Sequence, residues 1–129
     1  MSDFVPSQDL LDAMLVGGIN AILDLHPSNP AYAVIYNSSD VALVTITFAR
    51  PAATLVAHQL AFGQGEPSGD LIYAQGNGAY FKLFNGYGTY LGQGNVTDAA
   101  GAGPMKISGT TGTLLYAGAR AIIDTLAFA

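Results

Sequence analysis

The side chains able to do chemistry are few and scattered. His26 stands before Pro27, and His58 lies between Ala57 and Gln59 in a run that reads as strand. Neither has an acid or a second histidine at ligand spacing, so each is read as structural rather than as a base or metal ligand. Asp70 after Gly69 and Asp98 in the run TDAAG offer single carboxylates, whereas calcium needs several oxygen donors from one rigid loop. Gly86-Tyr87-Gly88 has the spacing of part of a dinucleotide fingerprint but follows a hairpin signal and precedes no helix. The run GAGPMK lacks the closing Gly-Lys-Ser/Thr of a phosphate loop. Ser38 and Ser108 have neither a glycine elbow nor a nearby base. These residues predict no catalytic, cofactor or metal site, and a protein that is not an enzyme. Tyr73, Tyr80, Tyr87, Tyr90 and Tyr116 have the faces on which sugars stack. Tryptophan is absent, however, and the tyrosines fall in strand-like runs, so packing in the core or between subunits is the preferred reading.

The element that positions most of these aromatics is a hairpin in the run GAYFKLFNGYGTYLG. Asn85-Gly86 suits a two-residue type I′ turn, because both central residues of that turn need positive φ. Such a turn sets Phe84 opposite Tyr87, Lys82 opposite Thr89 and Tyr80 opposite Leu91, with Phe81 and Leu83 on the other face. Large apolar groups on both faces predict that a second sheet or a neighbouring subunit covers the outer one.

The 129 residues suit one domain, residues 1–129, large enough to hold a hydrophobic core. Half of them are apolar and a tenth are charged, so the surface is built mainly from Gly, Ser, Thr, Asn and Gln. A weakly charged surface loses little hydration on burial, which favours an assembly subunit over a monomer. The net charge is −5, and the four basic residues, Arg50, Lys82, Lys106 and Arg120, are far apart in sequence. Without a basic cluster there is no means to neutralise several phosphates, so neither nucleic acid nor an anionic membrane is an expected partner. The chain has no cysteine, which excludes disulfides and thiolate chemistry. Asp3, Asp9 and Asp12 stand where a secretory signal would be basic, so no such signal is read. Asp12, Asn20 and Asp24 interrupt the apolar run from Leu10 to Leu25, which rules it out as a membrane span.

Ser7 followed by Asp9 predicts a helix start, and His26-Pro27 a stop, giving a helix over about 7–26 with Leu11, Met14, Leu15, Ile19, Ile22 and Leu23 as its apolar stripe. Gly17-Gly18 costs about 2 kcal/mol relative to alanine, so a single, kinked helix is expected, with a strand from Ile19 to Leu25 as the competing outcome. From Ala31 on, short β-rich runs follow one another: Tyr32–Tyr36, Val41–Phe48, Thr54–Phe62, Leu71–Ala74, Ala79–Phe84, Tyr87–Leu91, Met105–Ile107, Thr113–Tyr116 and Arg120–Phe128. Their spacing predicts a mainly β fold over about 31–129, an antiparallel sandwich or jelly-roll-like barrel with one N-terminal helix. Gly63–Gly69 and Gln93–Pro104 read as loops. The apolar last strand requires a neighbour, in its own sheet or in another subunit.

The runs DAML, VIYN, TITFARPA and GAYFKLFNG, then GQG, taken in that order, resemble a group of small phage and prophage proteins encoded among virion structural genes. In that group the hairpin strand reads Trp-Phe-Arg before an Asp-Gly turn, where this chain has Tyr80-Phe81-Lys82 and Asn85-Gly86. The resemblance spans most of the chain and implies a helix with an antiparallel β-sandwich in a non-enzymatic virion protein. Its implied role is a capsid decoration, or cement, subunit made in the bacterial cytoplasm and carried on the particle exterior. Its expected partners are copies of itself, most simply in a trimer, and the major capsid protein. A tail or baseplate subunit and a carbohydrate- or receptor-binding β-module are the alternatives. The residues expected to carry the contacts are Tyr80, Lys82, Phe84, Tyr87, Tyr90, Asn95, Asp98 and Phe128.

Overall fold

The computed structural model describes residues 4–66, 68–108 and 112–128, and at Asp124, Thr125 and Phe128 the backbone only. Asp3 lies outside the described residues. Helix α1 spans Gln8–Leu23, opened by Ser7, whose Oγ accepts the Leu10 N–H at 3.2 Å, with Asp9 in the first turn. Gly17-Gly18 does not break it, because tertiary contacts hold both sides of the glycine pair. Leu15, Val16 and Ile19 pack on the core, Leu23 is fully buried, and Asn20 grips Ala53 through Nδ2 to the carbonyl and Oδ1 from the N–H. The last turn has no basic residue of its own. Arg50 supplies the cation from the barrel, donating to the carbonyls of Asp24, His26 and Asn29. The helix ends three residues before the expected stop, and the expected stripe is only partly inward. Leu11, Met14 and Ile22 are exposed, while Val16 takes an inward place that was not assigned to it.

Strands β1 (Tyr32–Tyr36), β2 (Ala42–Val56), β3 (Gln59–Gln64), β4 (Asp70–Leu71), β5 (Gly76–Asn77), β6 (Tyr80–Phe84), β7 (Tyr90–Asp98), β8 (Met105–Ile107), β9 (Leu114–Leu115), β10 (Arg120–Ala121) and β11 (Ile123–Phe128) follow. Seven of them close a barrel in the order β1-β2-β3-β11-β8-β7-β6, and β4 with β10 and β5 with β9 form two small ribbons. Closure pairs most of the edges that a sandwich would leave, except along β7 before Val96, where β8 has not yet begun. The interior is filled by alternation: Ala33 and Ile35 on β1 face inward beside Leu83 and Phe81 on β6, their direct partners. Leu43 and Val44 are buried consecutively where β2 slips register against Ile35 and Tyr36, as a bulge allows. The final strand finds its neighbours inside the barrel, β3 on one side and β8 on the other.

Three expectations are corrected by how the barrel closes. The run Thr54–Phe62 is not one strand: Ala57 and His58, with φ of 51° and 64°, make a tight turn between β2 and β3, so His58 sits at a hairpin tip. This left-handed conformation costs L-residues about 1–2 kcal/mol each, and the bond from His58 Nδ1 to Asp12 Oδ2 (2.8 Å) ties the tip to α1. Asn85-Gly86, which carries the stronger turn signal, makes a wider loop instead. Asn85 is buried, its Oδ1 accepts the N–H groups of Tyr87 and Thr89, and positive φ falls on Gly88. Gly86 is needed for proximity, since a Cβ there would collide with the Asn29 carbonyl. Phe84 therefore faces Tyr90, Lys82 faces Gln93 and Tyr80 faces Asn95. The third correction is the Gln93–Pro104 loop, because Gln93–Asp98 belongs to β7. Val96, Thr97 and Asp98 pair with Met105, Lys106 and Ile107 in parallel, the one parallel pairing among the described strands. The chain reverses within residues 99–104. A Cβ at Gly101 would collide with the Thr97 side chain, and Gly103 donates its N–H to Thr97 Oγ1, so these glycines serve a tight return path.

Candidate functional site: two apolar surfaces

The polar residues singled out for chemistry are engaged one by one. His26 Nδ1 accepts the N–H groups of Ser28 and Asn29, and its ring lies 4.6 Å from that of Tyr87. Asp70 Oδ2 takes the Gln64 amide at 2.7 Å and the Thr47 N–H at 3.3 Å. Asp98 accepts the N–H groups of Ala100 and Gly112. Among the described residues no group of three or more His, Asp or Glu is placed to hold a metal ion. No helix among them is long and apolar enough to cross a membrane.

The first surface is an aromatic strip on the outside of β1, β6 and β7. Pairing of β1 with β6 sets Tyr32 against Phe84, Val34 against Lys82 and Tyr36 against Tyr80. The Tyr32 and Phe84 rings stack at 5.2 Å and 21°, and those of Tyr36 and Tyr80 at 5.2 Å and 13°. Phe84 meets Tyr90 edge-on at 6.1 Å, and Lys82 Nζ lies 5.3 Å from the centre of the Tyr36 ring. The Tyr80 hydroxyl donates to Asp40, and that bond, with lesser contributions from burial and nearby charge, pushes its pKa up to about 12. Desolvation raises the Tyr36 hydroxyl as well, followed by the effects of Tyr73 and Tyr32. Tyr36, Asp40, Tyr80, Lys82 and Gln93 border an open recess of about 460 Å³.

Of the residues named from sequence, Tyr80, Lys82, Phe84 and Tyr90 meet in this strip, with Asn95 exposed opposite Tyr80. Tyr87 lies against His26, Asp98 ties down its own loop, and Phe128 ends β11 opposite Leu60, its side chain outside the described set. Tyr32, Tyr36, Asp40 and Gln93 were missed. Alternation on Tyr32–Tyr36 places both tyrosines on one face, but nothing local shows that β6 is the neighbour. Core packing does not hold for Tyr73, Tyr87, Tyr90 and Tyr116, all more than half exposed.

The second surface is the outer side of α1. Leu10, Leu11, Met14 and Ile22 are exposed there, Met14 by 62%, together with Ala13, Gly17, Gly18 and Ala21. At 100° per residue these positions share one side of the helix, and none of them is charged. The arm before the helix, beyond exposed Ser7, Gln8 and Asp9, leaves Phe4 79% and Val5 83% exposed. Nothing lies within 4 Å of where a Cβ would stand at Gly17 or Gly18. Beside α1, an apolar cleft of about 270 Å³ runs between Ile19 and the barrel wall at Phe81, Leu83, Leu91 and Pro104.

No protein-family model, curated protein or solved structure matches this chain significantly.

Proposed function

We propose that this chain is a non-enzymatic bacteriophage virion protein, a capsid decoration subunit that assembles with copies of itself and braces the shell by burying apolar surface. The observation that carries the reading is the uncharged, apolar outer side of α1 and its arm, left exposed on a barrel whose core is already filled. Soluble monomers seldom leave several large apolar side chains open along one helix side. The low charge of the chain lowers the cost of covering it, and cyclic closure into a trimer would cover it without open-ended growth. The resemblance of the helix and hairpin motifs to small phage proteins encoded among virion genes points the same way.

Quantitative mass spectrometry of purified particles from the parent genome tests this reading through the copy number relative to the major capsid protein. Hundreds of copies are expected. Tens or fewer would place the chain in the tail or baseplate, and absence from particles would overturn the virion reading. The recess between Tyr36, Asp40, Tyr80, Lys82 and Gln93 favours a second reading, a carbohydrate-binding module. That reading predicts glycan binding that Tyr80→Ala abolishes.

A further inference from the structure

The apolar cleft beside α1 and the exposed arm before it match in chemistry: both are apolar and uncharged. We infer that the Phe4-Val5-Pro6 arm of one copy lies in the cleft of its neighbour, so that the oligomer is held by exchanged arms. The inference rests on the proposed assembly for the existence of the oligomer and adds the segment and site that join it.

The cleft selects the occupant by its chemistry. Ile19, Phe81, Leu83, Leu91 and Pro104 line it, with Gln93 and two glycines and no charged side chain, so it suits an uncharged apolar segment. Its volume of about 270 Å³ falls just below the range of roughly 300–1,000 Å³ typical of small-molecule sites, and is on the scale of side chains. Gly94 keeps it open, since a Cβ there would come within 2.9 Å of Phe81 Cε1 and Pro104 Cγ. One wall also offers backbone. β8 begins opposite Val96, so β7 from Tyr90 to Asn95 pairs with β6 but has no described strand on its other side. An extended segment can add there as a short strand while its side chains enter the cleft.

The arm is the matching piece. Phe4, Val5 and Pro6 are uncharged, and Phe4 and Val5 are among the most exposed apolar residues described. A chain's own arm does not reach this place. Ile19 lies twelve residues beyond Ser7, about 18 Å along the helix, whereas three extended residues before Ser7 span only about 10 Å. Phe4 exposed at one end and a cleft open at the other are what exchange between copies resolves.

Two measurements on the full chain test this. Phe4→Asp should raise the apparent dissociation constant of the oligomer at least tenfold in sedimentation velocity. At a concentration where both chains are monomeric the thermal midpoint should not move, because Phe4 is 79% exposed and outside the folded core. The chain has no cysteine of its own, so Val5→Cys and Leu91→Cys, the latter in the cleft lining, can be made as separate chains, mixed and oxidised. A disulfide-linked mixed dimer well above what either variant forms alone is expected. An oligomer undiminished by Phe4→Asp and without the mixed cross-link would overturn arm exchange while leaving the decoration reading in place. A chain that stays monomeric at all concentrations and is absent from particles would overturn both.

Discussion

On the barrel wall, Tyr32 lies on Phe84, Tyr36 lies on Tyr80, and Lys82 sits over the Tyr36 ring, so the outward aromatics of β1 and β6 cover one another. On α1, Leu10, Leu11, Met14 and Ile22 stay between 40% and 62% exposed. Both surfaces turn hydrophobic groups outward, yet the rings of β1 and β6 find partners within the chain, whereas the outer aliphatic groups of α1 do not stack on one another. The difference arises from geometry. Cross-strand neighbours about 5 Å apart can stack on each other, whereas residues along one helix side touch only their i+3 and i+4 neighbours and leave their outer halves bare. Aromatic content on a strand is therefore weak evidence for a partner, and unpaired aliphatic content on a surface helix is stronger evidence.

The largest test of that contrast is Met14→Asp. A charge at this exposed position should weaken self-association more than tenfold in sedimentation velocity, while the stability of the monomer, measured at dilution, stays within about 0.5 kcal/mol of the parent chain. Unchanged association would move the interface off the helix. Phe84→Ala should behave in the opposite way. It removes the stack on Tyr32 and the edge contact with Tyr90, and should cost the fold about 1–3 kcal/mol in denaturant titration with the oligomer intact at native conditions.

Gly17→Ala with Gly18→Ala sharpens the helix side through a conflict of sign. Nothing lies near either position within the chain, so each alanine should stabilise the helix by up to about 1 kcal/mol. If a second copy approaches there, the same variant should associate more weakly. An equal gain in both measurements would show that no copy approaches the glycines.

The strip has its own signature in alkali. A tyrosine whose folded pKa is raised to about 12 favours the folded state fully below the ordinary value near 10, and that contribution is lost as pH rises through about 12. Ultraviolet titration should therefore show Tyr80 ionising late, and Asp40→Asn should bring it back toward the ordinary range. The smallest effect concerns the tie between α1 and the β2–β3 turn. The bond from His58, followed by the one from Gln8, lowers the pKa of Asp12, so its stabilisation is present above the ordinary carboxylate range and lost as pH falls through the lowered value. His58→Ala should flatten the acid limb of the helical circular-dichroism signal below about pH 4.

Local signals read the chain well where local chemistry decides. Ser7 starts α1 through its own hydroxyl, and Tyr32–Tyr36 and Met105–Ile107 are strands within the limits their alternation predicts. They failed where a distant group intervened. Asn85-Gly86 carries the composition of a tight turn, but burial of Asn85 and the closeness of Asn29 make a wider loop, and the whole β6–β7 register moves with it. Ala57-His58 carries no turn signal, yet two long strands must reverse there and Asp12 holds the tip. Gly101 and Gly103, inside a run that reads only as loop, give clearance beside Thr97. Of the candidate site, four of the eight named residues gather in the strip, and the bare face of α1 was not legible because a period near 3.6 marks an apolar stripe without saying which part of it the barrel covers.

By itself, the sequence determined a mainly β chain with one capped N-terminal helix, an alternating apolar interior and a surface poor in charge, since caps, alternation and composition act within a few residues. Tertiary structure alone decided that the sheet closes into a barrel, that β1 lies beside β6, that β7 and β8 run parallel, and which side of α1 stays bare. Each of those depends on which distant segments meet, and that is set by the cooperative filling of one core rather than by any residue's own preference.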